Sequence, residues 1–167
     1  MLMGNLRLRR MLFWLASFAW IALIYWFSDQ TAAESSAASD STMHFLLRFF
    51  HIKNTDTIMA DSPLLLPFTY ILRKIAHLFL YSVLGLLLGG AVCQYPATRL
   101  QKIALPMALG ILYACIDELH QYFVPGRACQ ILDVLIDTAG TLAGVLLALG
   151  IAALFHRHRI RQQTGTR

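Results

Sequence analysis

The sequence predicts an all-α polytopic membrane protein, a four-helix transmembrane bundle with one long outer loop between its first and second helices. Three observations carry that prediction. Of 167 residues, 57% are hydrophobic and only 14% are charged, against about 25% charged in an ordinary soluble domain. A chain this short has too much surface for its volume to hide so much apolar side chain from water. The apolar residues are also gathered into four stretches of roughly membrane-spanning length. Finally, the charges are unevenly distributed along the chain, as described below. The same composition excludes a disordered chain, which would be poor in apolar residues. The three cysteines, Cys93, Cys115 and Cys129, are odd in number and scattered. They form neither a disulfide framework nor a C-x-x-C pair. The whole chain, 1–167, reads as one membrane domain.

The first predicted helix covers about 10–28, where Met11 to Phe27 carries no charge. Basic Arg7, Arg9 and Arg10 ahead of it and Thr31-Ala32-Ala33 behind it also fit a secretory signal. The stretch is long for a signal core, however, and Trp14, Trp20, Tyr25 and Trp26 fit interfacial anchoring better. The outer loop, 28–68, follows. Its segment Ala32 to Ser41 is small and polar and reads as mobile. Ser41 or Thr42 is placed to cap a short helix over 43–52, with Phe45, Leu46, Phe49 and Phe50 laid on the outer leaflet or over the bundle. The second spanning helix covers about 69–93, and from Ile75 to Cys93 its one ionisable group near neutral pH is His77. The third covers about 102–123 and the fourth about 130–155, with a tail over 156–167. The connections 94–102 and Val124-Pro125-Gly126-Arg127 are short, so helices two, three and four are antiparallel neighbours. Gly85 and Gly89 on helix two, and Gly140 and Gly144 on helix four, are small-x-x-x-small pairs that allow close helix approach.

Charge sets the expected orientation. With the N-terminus inside, nine of the fourteen Lys and Arg lie on the inner side: Arg7, Arg9, Arg10, Arg99, Lys102, Arg157, Arg159, Arg161 and Arg167. All nine acidic residues fall on the outer side or in the outer part of a helix. The positive-inside rule then places both termini in the cytoplasm. The net charge of +5 is accounted for by topology, and no nucleic-acid partner is predicted.

Charged groups in a membrane helix cost roughly 2.5–3.5 kcal/mol each at its centre, so their presence is by default a functional signal. At about 1.5 Å of rise per residue, Asp117 lies about 22 Å above Lys102, His77 about 24 Å above Cys93 and Asp137 about 28 Å above His156. In a hydrocarbon core of about 30 Å, all three reach the outer third. Helical spacing puts Arg73 or Lys74 beside His77, Asp117 beside His120 and Gln121, and Asp133 beside Asp137. Asp117, Glu118, His120 and His77 are the candidate acid–base groups. Arg73, Lys74, Gln121, Arg127, Asp133 and Asp137 are the candidate ligand-binding groups. Three chemistries fit: cations around a phosphate, carboxylates and histidines in acid–base catalysis, or a divalent metal. Asp117-Glu118-Leu119-His120 lacks the four-residue spacing of a zinc helix, so no metal and no other cofactor is predicted. A purely structural alternative has the carboxylates pair with the cations and hold the bundle together.

Four blocks resemble the VanZ-like family of bacterial membrane proteins. They are Tyr25-Trp26-Phe27-Ser28-Asp29-Gln30, Arg73-Lys74-Ile75-Ala76-His77, Asp117-Glu118-Leu119-His120-Gln121 with Phe123-Val124-Pro125-Gly126-Arg127, and Asp133 through Asp137 to Gly140. The resemblance adds Ser28 and Gln30 to the candidate ligand-binding residues. It implies a four-helix inner-membrane protein of the cell envelope, in a family whose founding member is associated with resistance to teicoplanin. One position departs: family members often carry Glu three residues after the His of the second block, where this chain has Leu80 before Tyr81. The expected partners are membrane lipids, with an anionic lipid or lipid-linked cell-wall precursor at an outward polar site. An intramembrane hydrolase acting on such a lipid is one alternative, and a structural or transport accessory is another.

Overall fold

The computed structural model describes residues 2–50 and 65–164, which form five α-helices and no strand. We number them α1, Leu2–Ser28; α2, Ala32–Phe49; α3, Leu65–Cys93; α4, Arg99–Gln121; and α5, Ile131–Thr164. Four contain segments long and apolar enough to cross a membrane: Leu6–Ser28, Tyr70–Cys93, Arg99–Gln121 and Ile131–Phe155. The predicted helical membrane bundle is therefore the architecture observed.

Helix α3 is the centre of the bundle and touches all four other helices. Its Tyr81, Leu84 and Leu88 form the buried core with Ile24 of α1 and Ala114 of α4, flanked by Trp20, Ile21 and Tyr113. The most extensive contact is between α3 and α5. It is close because glycines replace side chains at the crossing. A methyl group at Gly85 would overlap the Thr141 carbonyl, and one at Gly144 would overlap that of Ser82. With no apolar driving force between helices in lipid, such van der Waals proximity and interhelical hydrogen bonds hold them together. Trp20 Nε1 donates to the Leu80 carbonyl at 2.8 Å, joining α1 to α3, and the Tyr113 hydroxyl donates to the Ile21 carbonyl at 2.9 Å, joining α4 to α1. On the outer faces Phe18, Phe79, Leu112 and Leu147 remain exposed, an arrangement suited to lipid rather than water.

The segment after α1 departs from the expected mobile stretch and short 43–52 helix. It is one long helix, α2, capped by Thr31 instead of Ser41 or Thr42. The Thr31 hydroxyl accepts from the Glu34 N–H at 3.3 Å, and the Glu34 carboxylate accepts from the Thr31 N–H at 2.8 Å. This reciprocal cap satisfies two otherwise unpaired helix-end donors and holds the Glu34 carboxyl below its ordinary value. The serines and threonine that suggested a loop return their hydroxyls to carbonyls four residues back, as in Ser39 to Ser35, Ser41 to Ala37 and Thr42 to Ala38. Met43 is buried, while Phe45, Phe49 and Phe50 are exposed. Other boundaries shift as well. Thr98 begins α4 with a second capping box, α3 starts at Leu65, and α5 continues through Thr164 into the expected tail. The remainder of the expected outer loop, 51–64, and the end of the tail, 165–167, lie outside the described residues.

Candidate functional site

One end of the bundle gathers the end of α1, the early turns of α3, the end of α4 and the start of α5. The α4–α5 turn closes it. Gly126 adopts φ of +75°, a left-handed conformation that glycine reaches without strain. The Arg127 N–H then donates to the Val124 carbonyl at 3.1 Å. Glu118 Oε2 accepts the Gln130 N–H at 2.8 Å and ties the turn to α4. The Ala32 N–H reaches the Pro125 carbonyl at 3.3 Å, so α2 begins against the same turn.

Beneath this turn the acidic groups are withdrawn from the surface. Asp117 is 2% exposed, Glu118 1% and Asp137 0%. Gln121 Nε2 donates to Asp117 Oδ2 at 3.3 Å and lies 3.5 Å from Ser28 Oγ, connecting α4 to α1. His77 Nδ1 is 3.5 Å from Asp137 Oδ1. Donor atoms of His77, Asp117 and Asp137, contributed by α3, α4 and α5, lie within 4.8 Å of one another. Lys74 pairs with Asp133, and its ammonium sits 4.7 Å from the Tyr70 ring centroid.

The guanidiniums behave differently. Among the described residues, neither Arg73 nor Arg127 forms an ion pair with a carboxylate within 4.0 Å. Arg73 reaches Ser36 Oγ on α2 at 3.2 Å, and Arg127 reaches the Phe27 carbonyl at 3.4 Å. The Nε of each is buried and, among the described residues, without a hydrogen-bond partner. Burial and then the neighbouring Arg73 charge hold the Arg127 guanidinium below its ordinary value, while Asp117, Glu118 and Asp133 act against that shift. Two guanidiniums whose charges act on one another and that keep unused donors are an arrangement able to accept an anion.

The predicted residues thus divide into groups. His77, Asp117, Asp137, Gln121 and Ser28 meet in the interior. Arg73, Lys74, Arg127 and Asp133 lie nearer the rim. Glu118 is occupied with the turn. His120 points elsewhere: its Nε2 lies 3.1 Å from Asp29 Oδ1 and its ring 4.7 Å from that of Tyr25. Gln30 lies partly buried in the α1–α2 connection. Among the described residues, the salt-bridge alternative describes Lys74 and Asp133 but neither arginine. Three residues of the site were not predicted. Tyr81 is wholly buried beside Asp117, with its hydroxyl unbonded. It lies four residues after His77, on the same helix face, and that spacing was the available signal. Asp29 and Ser36 depend on how α1 and α2 meet the other helices, which spacing does not encode.

Compared with known families, residues 13–155 match the sequence model of VanZ/LLP1. No curated protein and no solved structure matches the chain.

Proposed function

The chain belongs to the VanZ/LLP1 family, and we propose that this member is a cell-envelope protein binding the phosphate of an anionic lipid or lipid-linked envelope precursor. In this reading both termini lie in the bacterial cytoplasm, and the polar end of the bundle opens to the outer leaflet. One observation carries the proposal: Arg73 and Arg127 share a site, lack carboxylate partners among the described residues, and hold buried Nε donors in reserve. An anion between them relieves their repulsion and takes up those donors, and the planar guanidinium fork matches phosphate oxygens in pairs. A link to glycopeptide resistance, which the family resemblance suggests, is proposed as the cellular consequence of that binding.

The test compares wild type with Arg127→Lys in nanodiscs of phosphatidylcholine alone, with phosphatidylglycerol added, or with a polyprenyl phosphate added. Wild type is expected to bind one or both phosphate-bearing lipids, and the preferred one identifies the source of the phosphate. Arg127→Lys keeps the charge but loses the fork, so binding should weaken about tenfold, on the order of the 1.4 kcal/mol expected for one charge-assisted bond. Equal binding by both proteins, or none by wild type, overturns the proposal.

A further inference from the structure

Deeper than the arginines, three helices bring together an imidazole nitrogen and two carboxylates. Asp137 is fully buried, and neither of its carboxylate oxygens has a hydrogen-bond partner. Asp117 is 2% exposed, and its Oδ1 is likewise unpartnered. His77 Nδ1 is buried, stands 3.5 Å from Asp137 Oδ1 and, among the described residues, makes no hydrogen bond. Unbonded buried carboxylate oxygens are expensive because nothing replaces the water they have lost. Asp117 has the Ser28 and Tyr81 hydroxyls close by, whereas Asp137 has less compensation. The Thr141 hydroxyl, which could reach toward Asp137, donates instead to the Asp137 backbone carbonyl at 2.9 Å. Lys74 is committed to Asp133. Gln121 holds only the Oδ2 of Asp117.

We propose that His77, Asp117 and Asp137 bind a divalent first-row transition metal ion. The donor set fits in charge, type and spacing. Two carboxylates with a neutral imidazole carry a charge of −2, which one divalent ion cancels. Imidazole nitrogen with carboxylate oxygen suits manganese or zinc better than magnesium, which prefers oxygen and water. A tetrahedral ion about 2.1 Å from each ligand places donors about 3.4 Å apart. His77 and Asp137 already stand 3.5 Å apart. The widest separation, 4.8 Å, closes to that spacing by a shift of about 1.4 Å, within reach of small side-chain rotations. The bond from Gln121 orients Asp117 from outside the cluster, in the position of a group that supports a metal ligand. Three protein ligands leave one or more positions for water or for an oxygen of a bound molecule. The inference stands apart from the anion proposal, because it rests on the unbonded carboxylates and not on Arg73 or Arg127.

Manganese provides the probe. Full-length protein is purified in detergent, stripped with chelator and titrated with Mn²⁺, with loss of the free-ion paramagnetic resonance signal as the readout. Wild type is expected to bind one Mn²⁺ per chain, and Zn²⁺ to displace it. Asp137→Asn and His77→Gln should each weaken binding tenfold or more. His120→Gln, outside the cluster, should leave it unchanged. Wild-type thermal unfolding is followed as well, so that the test does not depend on a variant folding, and its midpoint should rise with added Mn²⁺. Absence of saturable binding by wild type overturns the site and shows a carboxylate pair neutralised by protons. Equal binding by wild type and a folded Asp137→Asn overturns it too. Arg127→Lys separates the two proposals, since it should impair lipid binding while leaving Mn²⁺ binding intact.

Discussion

Arginines at the two ends of the bundle are treated in opposite ways. At the end away from the site, Arg10 donates Nε and Nη2 to the Gln94 carbonyl at 3.1 and 2.9 Å. Its guanidinium also lies 4.4 Å over the Tyr95 ring centroid. That carbonyl follows directly on the end of α3, where unpaired carbonyls favour a cation. Arg10 is thereby used up in closing a helix. At the site end, Arg73 and Arg127 keep buried Nε groups without partners. The far end also holds a mostly apolar cavity of about 590 Å³ lined by Phe13, Gly90, Cys93, Ala148 and Phe155 beside Arg9 and Gln94. A satisfied arginine explains itself by the structure it holds, and an unsatisfied one calls for something to hold.

The largest expected effect concerns which side each end faces. If the site end lies outside, a membrane-impermeant thiol reagent on intact cells should label exposed Cys129 and spare Cys93 at the opposite end. Labelling of Cys93 with protection of Cys129 would reverse the comparison. The next effect is one of stability. Asp133→Ala strands Lys74, whose side chain is 12% exposed, and should cost about 3 kcal/mol, as for a partly buried pair broken on one side. The double substitution Lys74→Met with Asp133→Leu should recover most of that loss. Thermal unfolding in detergent measures both, and a stable single variant would show that the pair contributes nothing to holding the site end. The smallest effect compares the arginines directly. Arg10→Ala should lower stability by about 1.5 kcal/mol, the worth of a charge-assisted hydrogen bond, and leave lipid binding unchanged. Arg127→Ala should do the converse, with stability nearly unchanged and binding lost. If Arg127→Ala destabilises the protein as much as Arg10→Ala does, both arginines are structural.

Much of the bundle was legible in the order of residues because lipid imposes a simple rule. A span must be apolar and long, and its backbone must bond within itself. Met11 to Phe27 and Thr138 to Phe155 announce helices for that reason alone. Depth was legible as well, since a fixed rise per residue brings His77, Asp117 and Asp137 to one level, and the structure brings them together. The helix over 32–49 was misread because Ser and Thr favour loops locally. Here the Thr31–Glu34 cap starts the helix, and hydroxyl bonds to earlier carbonyls carry it onward. A capping box is a sequence signal, and this one was available.

What the sequence by itself determined is the set of spans, their antiparallel order and the level of the polar groups, because hydrophobicity and helical rise act residue by residue. Rotation of each helix about its axis is different. It decides that His120 turns to Asp29 while Asp117, three residues earlier, turns inward, and that, among the described residues, Lys74 finds a carboxylate while Arg73 and Arg127 do not. The helices are seated where Gly85 and Gly144 let α3 and α5 close on each other's backbones and where Gly110 of α4 packs against Thr141 of α5. Rotation depends on the shapes of two helices at once, so it belongs to the tertiary structure alone.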